Sequence, residues 1–256
     1  MLSRKLAGER AYYGDHDRDL RDALRGRLAT QADYLDEIAV NFPIYTRRVD
    51  LARFLVKYEL FQEAVQVPGY FVEIGVYKGE GLLTWAKLLD MHCPADRLRR
   101  VIGFDNFEGF TGFHAKDGAA APGADKILGG WNPAGAKDDL DFFMDLFQAD
   151  RFLPHASLIE IVEGDVCKTA RAYAEANPGL RIALLNLDVD LYEPTLAALE
   201  AFYPLVSPGG LVLIDEYGVK HWPGPSVAVQ DYFGGKMPRL YKSTLTTTPG
   251  AYFIKE

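Results

Sequence analysis

The chain has 256 residues, 48% of them hydrophobic and 25% charged, with a formal net charge of −8 at pH 7. That is the composition of a soluble globular protein with enough length for one generous domain or a core plus an appendage, and it excludes a disordered chain. An acidic balance argues against a protein that tracks a phosphate backbone, so the expected partner is a small molecule and not a nucleic acid.

From Asp15 to Arg27 the chain is dense in Asp and Arg, with Leu20, Leu24 and Leu28 four residues apart. This predicts a solvated helix with a narrow apolar stripe, a surface or oligomer-facing element, and it is the basis for expecting a homo-oligomer. Tyr34, Phe42 and Tyr45 follow in a polar connection, as packing or as the lining of a substrate mouth. Asp50 is read as the N-cap of a second helix, in which Leu51, Phe54, Leu55, Tyr58 and Val65 repeat until Val67-Pro68-Gly69 stops it. Residues 1–66 are therefore expected to form an N-terminal helical extension, a cap on the substrate side, ahead of a catalytic domain spanning 67–256.

The pattern then changes to strands alternating with helices. Tyr70 to Gly75 reads as a strand, Gly81 to Leu89 as a helix, and Val101 to Phe104 as a strand that delivers Asp105. Residues 111–139 are rich in Gly, Ala and Pro without periodicity, which predicts an active-site lid. A short helix over 139–147, a strand over 158–162 ending in Glu163-Gly164-Asp165, and a helix over 169–176 come next. The run Leu184-Leu185-Asn186-Leu187 ends in Asp188-Val189-Asp190, and a helix with Pro194 in its first turn follows. Gly210 to Ile214 is a further strand, ending in Asp215-Glu216. Such alternation predicts right-handed crossovers and a parallel sheet. Leu240–Thr247 and Ala251–Lys255, on either side of Thr248-Pro249-Gly250, predict a C-terminal antiparallel hairpin. Cys93 and Cys167 are far apart and fit a reducing cytoplasm. No run reaches the ~18–20 apolar residues of a membrane span, so a cytoplasmic location and no membrane partner are expected.

Ligands of open α/β sheets sit outside the carboxyl ends of parallel strands, so the acids there are the candidate site. Glu73-x-Gly75-x-x-x-Gly79 lies at a strand-to-helix turn, where glycine lets backbone come close to a ligand. It is not a dinucleotide fingerprint, because Tyr77 and Glu80 stand where glycines would be needed. An acid ahead of the loop suits a cationic ligand, Asp105 can accept from ribose hydroxyls, and Asp165 from an adenine amino group. Glu73, Gly75, Tyr77, Gly79, Asp105 and Asp165 together outline an adenosyl ligand with a positive charge, S-adenosylmethionine. Taken singly, Asp105 and Asp165 are equally well helix caps. Asp188, Asp215 and Glu216 form the second constellation: hard Mg2+ prefers carboxylate oxygens and keeps waters that a hydroxyl displaces. Asp190 shares a strand face with Asp188 and is read as its support. His221 is a candidate general base alongside Asp188.

Four blocks in order carry a family resemblance. Val67 to Gly79, Gly103 to Phe110, Asn186 to Thr195 and Asp215 to Gly218 resemble the macrocin O-methyltransferase family over roughly Pro68 to Phe233. The resemblance implies a class I methyltransferase, Rossmann-like α/β fold with S-adenosylmethionine as donor and Mg2+ at Asp188, Asp215 and Glu216. It also implies transfer to a sugar hydroxyl of a glycosylated natural product in antibiotic biosynthesis. The family often has Asp-Asp where Asp215-Glu216 stands, and an Arg where Ser226 stands. The alternatives are a metal-dependent methyltransferase of phenolic or catechol hydroxyls, which the same ion geometry suits, and a non-catalytic cofactor-binding homologue.

Overall fold

A computed structural model describes residues 13–119, 126–132 and 135–256, apart from the side chains of residues 13–17 and 32. The chain falls into two compact units, one up to Ala52 and the other from Arg53 to Glu256. This division lies inside a helix, fourteen residues before the boundary expected at 66/67.

The N-terminal unit is helical, as the sequence predicts. Its elements are α1 (Tyr13–Leu28), a 3-10 turn (Ala32–Tyr34), α2 (Leu35–Val40), α3 (Phe42–Tyr45) and the start of α4 (Arg48–Ala64). Asp50 is not the cap of α4. It lies in the first turn and accepts from the Arg47 guanidinium at 2.9 and 3.1 Å. The buried face of α4 in the second unit is Val56, Leu60, Phe61 and Ala64, whereas Phe54 and Leu55 are exposed. A helix whose apolar residues are spread around its circumference offers two eligible stripes, and periodicity cannot choose between them.

The second unit is a six-stranded sheet in the order β3-β2-β1-β4-β5-β6, made of β1 (Tyr70–Ile74), β2 (Val101–Asp105), β3 (Ile159–Glu163), β4 (Ile182–Leu187), β5 (Val206–Ile214) and β6 (Ala251–Ile254). All neighbours are parallel except β5 and β6. The antiparallel C-terminal element is thus β6 on β5, and from the run before the turn Tyr241 adds a single bridge to Tyr252.

Helices α5 (Glu80–His92), α6 (Ala136–Asp150), α7 (Val166–Ala176), α8 (Tyr192–Phe202) and α9 (Gly224–Phe233) cover the sheet. Strand alternation sorts the core into two layers. Phe71, Leu184, Leu211 and Leu213 pack with Leu60, Phe61, Trp85 and Leu140 on one face, and Val72, Ile74, Leu185, Leu187 and Ile214 pack with Leu199, Phe202 and Val229 on the other. The helix α9 was not read from the sequence. Its run opens on Pro223-Gly224-Pro225, which resembles loop chemistry, although proline in a first turn is favourable.

Candidate active site

The sheet order reverses between β1 and β4: the chain builds outward from β1 to β3, then returns to build β4 and β5 on the other side. A crevice opens at such a switch point, outside the carboxyl ends of the strands. Register aligns those ends, with Ile74 opposite Leu187 and Leu187 opposite Ile214. The ladder runs one step further, since Asp188 N donates to Ile74 O at 2.8 Å and Asp215 N to Leu187 O at 3.0 Å. Two acids distant in sequence are brought side by side this way.

Asp188, Asp215 and Glu216 each offer a carboxylate oxygen, and the three oxygens lie within 4.8 Å of one another. Asp215 and Glu216 are buried and Asp188 is half-buried. Burial, then Asp215, Asp190 and Glu73, push the Asp188 carboxyl well above the usual carboxylate range, against the pull of Arg53. Glu216 is pushed well up by burial and by Asp190, Asp215 and Asp188. Asp190 is raised to about 6, mainly by burial, against the lowering effect of a side-chain hydrogen bond with Glu216. These acids titrate as a unit. The second oxygen of Glu216, Oε2, is buried without a hydrogen-bond partner among the described residues. At an effective dielectric of about 20, each pair of like charges at this spacing would cost at least about 3.5 kcal/mol. A hard divalent cation fits this donor set: it removes that cost and fills the open valence of Glu216.

Asp190 supports the cluster for a different reason from strand alternation. Strand β4 ends at Leu187, and Asp190 adopts a left-handed backbone with φ +60°, which turns it toward Glu216. Arg53 of α4 went unread in the sequence. It is half-buried, and its guanidinium is held protonated by Asp215, Asp188, Glu80 and Glu216, against its own desolvation.

On the other side of the crevice, Asp105 organises the turn after β1. Its Oδ2 accepts from Val76 N at 2.7 Å and Tyr77 N at 2.8 Å, and its Oδ1 from Phe107 N at 2.8 Å. Gly75, at φ +90°, packs on the Asp188 loop, where a Cβ would overlap the Asp188 carbonyl oxygen. The glycine is therefore required by backbone meeting backbone, which ties the two halves of the site together. Tyr77 (φ +52°) is exposed and meets Trp131 edge-on at 5.5 Å, and Gly79 caps α5 in a left-handed conformation.

Glu73 lies inside β1 and not at its tip. It is only 2% exposed, sits under Gly81 in the first turn of α5, and accepts from Trp85 Nε1 at 2.9 Å and Asn186 Nδ2 at 3.1 Å. Burial pushes its pKa up to about 7. Lys57, itself buried, pairs with Glu80 at 2.5 Å beside it. With these acids at its first turn, α5 offers no vacant anion cradle. Asp165 caps α7, accepting from Cys167 N at 3.0 Å. His221 is exposed. Its backbone carbonyl accepts from Lys126 Nζ at 3.3 Å, and among the described residues its ring takes no hydrogen bond. Ser226 accepts from Gly218 N at 2.8 Å and so braces the turn after Glu216.

Of the predicted lid, residues 120–125 and 133–134 lie outside the described residues. The described part is anchored rather than loose. Asp117 is 1% exposed and Lys126 4%, and Lys116 pairs with Asp231 at 2.5 Å and with Tyr192 Oη at 3.0 Å. Buried polar anchors leave no periodic trace in the sequence, which is why this stretch reads as featureless.

Comparison with known proteins agrees with this architecture. The macrocin-O-methyltransferase (TylF) family profile matches residues 158–236. The chain is 30% identical over 201 residues to 8-demethyl-8-(2,3-dimethoxy-alpha-L-rhamnosyl)-tetracenomycin-C 4'-O-methyltransferase of Streptomyces olivaceus, covering 73% of this chain and 66% of that protein. It is 28% identical over 166 residues to mycinamicin III 3''-O-methyltransferase of Micromonospora griseorubida, covering 65% of this chain and 61% of that protein. The chain thus spans about two thirds or less of the length of these relatives. The crystal structure of the calicheamicin methyltransferase CalS11 superposes with a TM-score of 0.84 at 30% identity, over 96% of this chain and 94% of that one. The O-methyltransferase NovP shares the fold, with a TM-score of 0.57 at 22% identity over 80% of this chain and 79% of that one.

Proposed function

Since the chain belongs to the macrocin O-methyltransferase family, we propose that it transfers the methyl group of S-adenosylmethionine to a sugar hydroxyl of a glycosylated natural product. The observation that carries this reading is the triad Asp188, Asp215 and Glu216, gathered at the crevice beside the Gly75–Gly79 turn. The S. olivaceus relative is named for a rhamnosyl-tetracenomycin, and CalS11 is described as a TDP-rhamnose 3'-O-methyltransferase. A sugar hydroxyl is what these acceptors share.

Asp188, Asp215 and Glu216 would hold Mg2+. When bound, Mg2+ supplies a Lewis acid that eases deprotonation of a hydroxyl, and S-adenosylmethionine supplies an electrophilic methyl group. Asp188, the least enclosed of the triad, is the first candidate to take the hydroxyl proton. His221 is the second candidate base, by a movement of its exposed ring. Asp105 keeps the Val76 and Tyr77 amides in place, so the donor meets a preformed turn. Gly75, Tyr77 and Gly79 shape that turn. Glu73 acts from beneath it, through Asn186 and Trp85. Asp165 stands at the mouth of β3 as the candidate acceptor for an adenine amino group, with its second oxygen 3.3 Å from Lys168 Nζ.

The test is methyl transfer from labelled S-adenosylmethionine to rhamnosides and to catechols, with and without chelator. Transfer to a rhamnoside should vanish in EDTA, return with Mg2+, and fall at least about 100-fold in Asp188→Asn. Full activity in EDTA would reject the metal. Turnover of catechols with none of sugars would favour the phenolic alternative, and tight donor binding without turnover of either would favour the non-catalytic one.

A further inference from the structure

Two buried charged residues in the stretch between β2 and α6 have no place in the chemistry above. The first is Asp117. One of its carboxylate oxygens accepts from Tyr192 N at 2.7 Å and the other from His114 N at 2.7 Å. Tyr192 opens α8 directly after the Asp188–Asp190 turn. The second is Lys126, whose ammonium donates to the Asp117 backbone carbonyl and to His221 O at 3.3 Å, and lies 4.9 Å from the Trp222 ring centroid. His221 and Trp222 end the turn that begins with Asp215 and Glu216.

The two metal-binding turns leave the sheet together and then lose its support, because the ladder stops at Asp188 and Asp215. Asp117 and Lys126 rejoin them at their far ends. Gly224, at the start of α9, packs so closely on this junction that a Cβ would overlap Asp117 Oδ1. The charge of Lys126 also acts on Asp190, the partner of Glu216. Burying a lysine is costly without compensation, and here two carbonyls and an indole face supply it.

We propose that Asp117 and Lys126 are positioning residues that clamp the Asp188–Asp190 turn to the Asp215–Trp222 turn and so hold the carboxylate triad at the separation a divalent cation needs. The proposal rests on the metal reading of that triad. Donor binding should be independent of the clamp, because Asp105 holds the Gly75–Gly79 turn from the opposite side. Outer groups that orient metal ligands commonly set metal affinity by 10- to 100-fold.

Four proteins decide it: wild type, Lys126→Met, Lys126→Arg and Asp117→Asn. Mn2+ affinity is read by electron paramagnetic resonance, S-adenosylhomocysteine affinity by calorimetry, and backbone order by hydrogen exchange. Lys126→Met and Asp117→Asn should bind Mn2+ about tenfold more weakly, with faster exchange in 188–192 and 215–222. Lys126→Arg should stay close to wild type, and the homocysteine product should bind all four alike. Folded Lys126→Met with wild-type Mn2+ affinity and exchange would overturn the clamp, as would an equal loss of S-adenosylhomocysteine binding. If wild type takes up no Mn2+, the metal reading fails, and exchange alone then upholds or overturns the clamp. Should Asp117→Asn not fold, the two Lys126 variants carry the decision.

Discussion

Glu73 shows how one buried carboxylate joins two elements of the fold. It receives hydrogen bonds from Trp85 on α5 and Asn186 on β4, so it fastens the helix after the donor turn to the strand that delivers Asp188. Lys57 and these two donors lower its pKa, but burial outweighs them and carries it from 4.5 up to about 7. Between those values the folded protein holds a proton that the unfolded chain has released. Its contribution to stability is therefore complete below about 4.5 and lost as pH rises through 7. Measured against Glu73→Gln, which is neutral throughout, wild type should lose on the order of 3 kcal/mol across that window, read from urea midpoints at pH 4.5 and 7.5. A pH-independent difference would place the proton elsewhere. Asn186 was legible: it is the one polar residue in an otherwise apolar run, and such a residue in a central strand needs a partner. What the sequence withholds is the partner, 113 residues away.

Among the elements, the turns that follow β1, β4 and β5 matter more than the strands themselves. Gly75 sits where the first two turns touch, and Gly250 plays a similar part against the third, since a Cβ there would overlap backbone atoms of Tyr217. Gly218 has the same left-handed backbone at φ +76° but open space around it. The two kinds of glycine separate cleanly in an experiment. Gly75→Ala should cost more than about 3 kcal/mol, because a backbone carbonyl cannot step aside. Gly218→Ala should cost only the backbone term, about 1 kcal/mol. Equal losses in chemical denaturation would mean that the contact at Gly75 relaxes. Spacing alone marks both residues as turn glycines. Only packing distinguishes the one pressed against the Asp188 turn.

At the scale of the molecule, one end of the sheet collects four acids, Asp188, Asp190, Asp215 and Glu216, in a chain whose net charge is already −8. Arg53 and Lys126 approach this concentration of charge from α4 and from the long loop. Two such cations balance only part of it, so a divalent ion should stabilise the whole fold and not merely the site. At 100 times its dissociation constant, Mg2+ should add about 2.7 kcal/mol, or roughly 5–10 °C of melting temperature for a chain of this size. Scanning fluorimetry with EDTA and with Mg2+ measures it, and Asp188→Asn should abolish the shift. Among the described residues no helix is long and apolar enough to cross a membrane.

The sequence by itself determined the parallel sheet, its antiparallel last strand and the meeting of Asp188 with Asp215 and Glu216. Strand and helix periods are local, and the crossovers then place the carboxyl ends of the five parallel strands on one side. Tertiary structure alone decided the surroundings of each acid. Glu73 and Asp165 carry the same charge as Asp188, but one is enclosed by Trp85 and Asn186 and the other caps α7. It also decided which stripe of α4 is buried, and that an aperiodic loop is held by Asp117 and Lys126. For Glu73, Asp117 and Lys126 the physical reason is shared: a buried polar group is defined by partners far away in the chain, and no local pattern records them.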